Sequence, residues 1–306
     1  MGFGRKLVDN GFRRAFLPLC RFYSRSIIKD QPADLLFRYL CAGYFFWAHR
    51  YWPNFVLPRS FSEKVWNRML YSRDPLFTML SDKLLVRDYV TRKVGSDFLI
   101  PLLWQGENPA EIPFDRLPLN FVIKSNHGCG YNLIINNKTQ LICEQAIALL
   151  KKWLGENFCD DKYAGTEWAY KHIKPRIIVE SMLENDGKAP VDYKFFCFSG
   201  RVEYVQISLD RFGPASERIC DRELTPLNLW NGVRLFEGEI VQPGNYREMV
   251  GLAEQLAEDL DFIRVDLYST NDHVYFGEMT CYHAGGLAPF IPRAYDFVFG
   301  EKWIIK

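Results

Sequence analysis

The chain has 306 residues, 48% hydrophobic and 25% charged, which excludes disordered, collagenous and coiled-coil classes and leaves room for about two globular domains. Thirty-eight basic residues against 37 acidic ones give a net charge of +1, excluding a nucleic-acid binder that uses its whole surface. The 16% aromatic content fits a ligand-handling protein without naming the ligand.

The first segment departs from that average. Residues 1–60 carry ten Lys/Arg against three acids, hence +7, which leaves the remainder at −6. Arginines there alternate with Phe, Leu, Tyr and Trp in a loosely amphipathic helical pattern that ends at Pro53 and Pro58. No apolar run reaches the roughly 18 residues a spanning helix needs, and neither a secretory leader nor a myristoylation signal is spelled. The expectation is a soluble, cytoplasmic protein, with this basic, aromatic extension able to grip an anionic membrane peripherally.

From Ser62, Val65, Met69 and Leu70 fall at helical spacing, closed by Asp74-Pro75; a second helix is expected from Ser81 to an exit at Gly95. Phe98–Trp104 reads as a strand. A proline-dense loop leads to the strand Phe121–Lys124, and the polar loop 125–132, with Gly128 and Gly130, joins it to a strand over 133–135 as a hairpin. A helix over Glu144–Leu154, strands over 177–180, 193–198 and 202–207, a helix over Tyr246–Leu260 and strands over 262–268 and 274–279 follow. That order predicts an α+β protein and not a regular βαβ alternation. The eight scattered cysteines form no C-x-x-C pair and read as reduced thiols packed as small hydrophobes.

Several phosphate sites fail on the text. No G-x-x-x-x-G-K-[ST] is present; Gly128 and Gly130 begin a dinucleotide fingerprint, but Leu133 stands at its third glycine and a strand follows instead of a helix. What remains is Lys124 at the end of an apolar strand, feeding a loop whose glycines let backbone N–H groups approach phosphate oxygens. Asp266 and Glu278 each sit singly in apolar strands, costly without a partner, and on adjacent antiparallel strands both can face one way and hold Mg²⁺. Asp192-Tyr193-Lys194 opens another apolar strand in the same manner.

The blocks Ser-Phe-Ser-Glu-Lys-Val-Trp (60–66), Ser-Asp-Lys-Leu-Leu-Val-Arg-Asp-Tyr-Val (81–90) and Phe-Val-Ile-Lys-Ser-Asn-His-Gly-Cys-Gly (121–130) carry a resemblance. So do Ile-Lys-Pro-Arg-Ile-Ile-Val-Glu (173–180), Asp-Tyr-Lys-Phe-Phe-Cys-Phe-Ser-Gly (192–200), Arg-Val-Asp-Leu-Tyr (264–268) and Phe-Gly-Glu-Met-Thr (276–280). Over residues 55–306 the chain resembles the ATP-grasp superfamily, and most closely its teichuronopeptide-biosynthesis (TupA-like) branch. The resemblance implies two α+β lobes gripping ATP: a phosphate-loop lobe over 61–185 and a metal lobe over 186–306, behind a helical extension over 1–60. Lys83 and Lys124 would neutralise phosphates, with His127, Gly128 and Gly130 in the loop closing over them. Glu180 through Leu183 would face the adenine and Glu184 the ribose. Lys194 and Arg211 would reach the transferred phosphoryl group, and Asp266 and Glu278 would hold Mg²⁺. Thr280 stands where the superfamily usually has Asn, and with His283 it would face the substrate.

The activity so implied is a carboxylate–amine ligase working through an acyl phosphate. It would join an amino acid or other amine to a uronic-acid carboxylate in a bacterial capsule, O-antigen or wall polymer, with no nucleic-acid partner. A sugar kinase on the same scaffold is one alternative. A glycosyltransferase is another, on the D-x-D string Asp259-Leu260-Asp261.

Overall fold

The computed structural model describes residues 35–158, 166–185, 189–209, 216–270 and 273–305. Arg211, the turn at 271–272 and residues 1–34 of the basic extension lie outside them.

Four helices come first: α1 (Leu35–His49), α2 (Phe61–Tyr71), α3 (Pro75–Ser81) and α4 (Leu85–Val94). Helix α2 starts where its sequence dictates. Ser60 Oγ accepts from Glu63 N and Glu63 Oε2 accepts from Ser60 N, a reciprocal cap worth about 1 kcal/mol. Asp74-Pro75, read as a stop, is also a start: Asp74 caps α3 by accepting from Leu76 N, and Pro75 takes the first helical position. The helix expected from Ser81 to Gly95 begins instead at Leu85, as α4, and α3 is an additional helix ahead of it that the sequence reading did not give.

A four-stranded antiparallel sheet follows, in the order β1 (Leu102–Gly106), β4 (Ile177–Ser181), β2 (Phe121–Ser125), β3 (Asn132–Ile135), with α5 (Cys143–Leu154) inserted after β3. The strand expected over 98–104 is split. Leu99 bridges to Phe276 of the second sheet, Phe276 N donating to Phe98 O at 2.7 Å, whereas Leu102–Gly106 pairs with β4. Pro101, which has no N–H to give, stands between the halves as the chain crosses from one sheet to the other.

The second sheet has six strands ordered β10 (His273–Thr280), β9 (Phe262–Thr270), β5 (Asp192–Phe198), β6 (Arg201–Leu209), β7 (Ser216–Asp221), β8 (Arg234–Leu235), antiparallel except for β7 with β8. Sequence reading missed β7 and β8, and also the final helix α7 (Ala294–Lys302). One face of this sheet packs on α6 (Tyr246–Ala257) through Tyr193, Phe195 and Cys197, and Tyr89 OH donates to Leu256 O to tie α4 to α6. The opposite face carries Phe61 of α2 in an aromatic cluster with Phe196, Phe198, Phe262, Phe299 and Trp303. Arg68, buried beneath, donates to the carbonyls of Phe262 and Cys281 and pairs with Asp261. Of the described cysteines, Cys41, Cys197, Cys220 and Cys281 are buried as expected, whereas Cys129 is exposed at the hairpin tip.

Candidate nucleotide and metal site

Between the two sheets lies a cleft open to solvent. One wall is the first sheet: Val122 and Lys124 from β2, Asn132 and Ile134 from β3, and the exit of β4 from Glu180 to Leu183. The other wall is Asp266 and Tyr268 from β9 with Phe276, Gly277 and Glu278 from β10; Lys83 and Arg87 reach in from the start of α4.

Alternation along strands builds the first wall. Val122 and Lys124, two apart on β2, share a face, and Val122 stands opposite Glu180 on β4. Lys124 Nζ donates to Glu180 Oε2 at 2.6 Å and Arg87 Nη1 to Glu180 Oε1 at 3.0 Å. The Glu180 side chain, expected to face adenine, thus anchors two cations; Met182 and Leu183 supply the apolar wall beyond it. Glu184 is exposed and accepts from Asn120 Nδ2 at 2.8 Å.

Lys83 is aimed by its neighbours. Asp82 Oδ1 caps the following turn by accepting from Leu84 N and also accepts from Asn126 Nδ2, while Asn126 Oδ1 accepts from Arg176 N. Lys83 Nζ donates to the carbonyl of Gly128, so this lysine touches the glycine loop. Gly128 has no room for a side chain: a Cβ there would stand 2.7 Å from the Tyr131 ring. The His127 ring does not line the cleft. Its Nε2 donates to the carbonyls of Trp153 and Glu156, burial lowers its pKa, and the bare Nδ1 accepts from Ser125 Oγ at 2.6 Å. What this loop offers a ligand is backbone, with His127 bracing it from behind.

On the second wall the decisive detail is a β-bulge. Phe276 pairs with Leu267, yet Glu278 pairs with Asp266, so Gly277 is the extra residue. With regular pairing, Asp266 would oppose Gly277 and the Glu278 side chain would lie on the reverse face. The bulge turns Glu278, and Thr280 after it, onto the face of Asp266. A Cβ on Gly277 would meet the Tyr268 ring at 2.8 Å and Asp266 O at 3.0 Å, so the position accepts glycine alone without displacement.

The row continues sideways, because Lys194 on β5 stands opposite Asp266. Lys194 Nζ pairs with Asp192 and, at 3.1 Å, with Asp266 Oδ2. Arg264, two residues before Asp266 on the same face, grips it with Nε at 2.7 Å and Nη2 at 2.6 Å. Burial on its own would raise the Asp266 pKa; the charges and hydrogen bonds of Arg264 and Lys194 outweigh it and hold the carboxyl at about 2. Thr280 Oγ1 donates to Glu278 Oε1 at 2.9 Å. His283 is buried against Phe61 and Phe196, and burial together with the Arg264 charge lowers its pKa to about 3. As a neutral ring it accepts from Arg264 Nη1 at Nδ1, 3.0 Å away. His283 therefore orients an arginine and does not line the cleft.

Sequence reasoning missed Arg87 and Arg264. The signal for Arg264 was present: it stands between Ile263 and Val265 on an apolar strand, at the two-residue spacing that shares a face with Asp266.

Mg²⁺ characteristically takes one or two carboxylates plus substrate phosphates instead of a dedicated protein cage. Asp266 and Glu278, opposed across the bulge, fit that donor set, and among the described residues no group of three or more His, Cys, Asp or Glu forms a fuller one. The D-x-D string offers no such site. Asp259 pairs with Lys93, Leu260 is buried, and Asp261 pairs with Arg68 and accepts from Trp303 Nε1 at 2.8 Å.

The family model described as TupA-like ATPgrasp matches residues 63–304. Solved structures similar to this chain include D-alanine–D-alanine ligase from Bacillus anthracis complexed with ATP, at 13% identity and a TM-score of 0.39, covering 67% of this chain and 54% of that one. L-amino acid ligase from Bacillus licheniformis is similar at 13% identity and a TM-score of 0.45, covering 90% and 56%. The ATP-grasp ligase PsnB, complexed with minimal precursor, Mg and ADP, is similar at 11% identity and a TM-score of 0.36, covering 72% and 58%. The chain thus spans little more than half the length of these structures. No curated protein matches.

Proposed function

This chain belongs to the TupA-like ATP-grasp family, and from that premise we propose that it is an ATP- and Mg²⁺-dependent carboxylate–amine ligase. The observation that carries the reading is convergence: Lys83 from the start of α4, Lys124 from the first wall and Asp266 and Glu278 from the second line a single cleft, though nearly 200 positions separate the outermost two.

In the proposed reaction a substrate carboxylate oxygen attacks the γ-phosphorus and ADP leaves, giving an acyl phosphate. The nitrogen of a neutral amine then attacks the acyl carbon and loses one proton, and phosphate leaves as the amide forms. The protein's part is positioning and electrostatics. Lys83, Lys124 and the backbone of Gly128 to Gly130 bind the phosphates; Met182 and Leu183 flank the base; to Glu184 we assign the ribose, which it would take in exchange for Asn120. Lys194 and Arg264, with Arg211, offset charge building on the transferred group. Asp266 and Glu278 would hold Mg²⁺, which supplies charge neutralisation between phosphate oxygens, and Thr280 steadies Glu278. We divide the chain into an extension over 1–60, a phosphate-loop lobe over 61–185 and a metal lobe over 186–306.

The carboxylate we propose is that of a uronic acid in a bacterial capsule, O-antigen or wall polymer, and the amine that of an amino acid. The reaction belongs in the cytoplasm, with the extension against the inner face of the membrane. Incubation with Mg-ATP, uronic acids and amino acids is expected to release phosphate only when both co-substrates are present, with product mass equal to their sum less one water. Lys124→Ala and Glu278→Ala are each expected to lower that turnover by at least about 10³-fold while melting within a few degrees of wild type. A stable phosphosugar formed without any amine makes the protein a kinase and ends the ligase reading.

A further inference from the structure

The outer face of α1 and the turn after it form an apolar surface of unusual composition. Leu36, Tyr39 and Phe46 recur at helical spacing on one side of the helix and are 53%, 58% and 44% exposed. Trp52, 58% exposed, extends the patch, its ring 6.0 Å from that of Phe46. The opposite side of α1 is committed to the core: Phe45 packs on Phe55 and Trp66, and His49 Nε2 bonds Gly286 O at 2.8 Å. The helix cannot roll to bury its outer face without giving these up.

The turn is held as firmly. Asn54 Oδ1 accepts from the backbone N–H groups of Val56 and Leu57, Asn54 N donates to Glu63 Oε1, and Asn67 Nδ2 donates to Phe55 O. These bonds bury Phe55 and leave Val56 and Leu57 63% and 72% exposed. Two aliphatic side chains are thus held out in water by a rigid turn, where a flexible loop would fold them inward.

Charge selects the occupant. Residues 35–62 contain no Asp or Glu; Arg50 and Arg59 there are exposed, whereas Arg38 turns to the core side and donates to the Tyr71 hydroxyl at 3.3 Å, and residues 1–34 add seven Lys/Arg against three Asp. A second copy meeting this face through a two-fold axis would bring together two segments that each carry a net charge of +7 over residues 1–60. An anionic bilayer supplies the missing charge, and Trp, Tyr and Phe beside Arg are the side chains that settle at the headgroup boundary. No helix among the described residues is long and apolar enough to cross a membrane, so the contact is interfacial. We propose that the α1 face Leu36–Tyr39–Phe46, with Trp52 and the Val56-Leu57 turn, docks on an anionic lipid surface, the exposed Arg50 and Arg59 contacting headgroups and the aromatic side chains entering the interface. The inference is independent of the ligase chemistry.

The test is vesicle flotation of the full chain. Wild type is expected to float with phosphatidylcholine vesicles carrying about 30% phosphatidylglycerol, to float weakly with phosphatidylcholine alone, and to be released by salt; each Arg or Lys near such a surface contributes about fivefold. The triple variant Tyr39→Ser/Phe46→Ser/Trp52→Ser is expected to partition at least about tenfold less onto the anionic vesicles. Its ATP turnover on soluble substrates is expected to stay at the wild-type level, which separates failure here from failure of the ligase reading. Equal flotation of wild type and triple variant, or no flotation of wild type, overturns the proposal. A wild-type dimer that the triple variant converts to monomer overturns it too, making the face a self-interface.

Discussion

Replacing Glu180 by Gln keeps the side-chain volume and removes the charge that two cations share. In the wild type its oxygens accept from Lys124 at 2.6 Å and Arg87 at 3.0 Å, and the residue is 6% exposed. Hydrogen bonds to charged groups contribute about 1.5–3 kcal/mol each. Water can reclaim part of that, because the Lys124 and Arg87 side chains keep 22% and 15% of their exposure. The net cost is therefore about 3 kcal/mol, at the low end of what breaking a buried pair costs. For a chain of this size that is roughly 6–12 °C in melting temperature. Differential scanning calorimetry of Glu180→Gln, Lys124→Ala and the double variant gives the coupling directly, and about 1–2 kcal/mol is expected between the two positions. A Glu180→Gln protein melting within 1–2 °C of wild type, or a coupling near zero, would mean that the pair does not hold this wall together.

Gly277→Ala is expected to cost about 1–3 kcal/mol, because its Cβ must displace the Tyr268 ring or the Asp266 carbonyl; the accompanying shift of Glu278 should weaken Mg²⁺ binding, read as a raised half-saturating Mg²⁺ concentration in ATP turnover. Burial, opposed by hydrogen bonds from Ser62, raises the Asp296 pKa from 3.8 to about 6. Between those values the unfolded chain releases a proton that the folded one keeps, so stability falls by about 3 kcal/mol as pH rises from about 4 to 6. Asp296→Asn retains an acceptor for Ser62 N and should flatten this decline in denaturant titrations; an unchanged pH profile would count against it. Asp266 works in the opposite sense. Its folded pKa of about 2 contributes stability that is complete above pH 3.8 and lost as pH falls through 2, a loss that Asp266→Asn should abolish.

The hairpin over 121–135 and the paired strands 193–207 and 262–279 were legible because each is local: two apolar runs, a polar turn, and a partner within a few residues. The elements that escaped depend on distant neighbours. β7 alternates poorly, with Ser216, Glu217, Arg218 and Asp221 in six residues, and forms because β6 offers it an edge. Helix α7 is set by Gly300, which lies against the backbone of Arg59 to Phe61 with no space for a Cβ. Asp74-Pro75 was ambiguous in principle, since the same pair ends one helix and caps the next. Lys124, Asp266 and Glu278 were singled out from their strands and line one cleft, but their pairings were not legible. That Glu180 would hold Lys124 depends on the register of β2 against β4, and that Glu278 would face Asp266 depends on one extra residue at Gly277. Both are tertiary facts.

The crossing at Pro101 bears on the order in which the molecule assembles. Helices α2 to α4 leave the ribosome before the four-stranded sheet, yet Arg68 finds its carbonyl partners 194 and 213 residues later, at Phe262 and Cys281. The sheet over 102–181 has its strand partners within its own stretch and closes early, while the unit around it waits for β9. A nascent chain halted at Leu260 holds Arg68 without Asp261 to pair with it and without the Phe262 and Cys281 carbonyls that take its N–H groups.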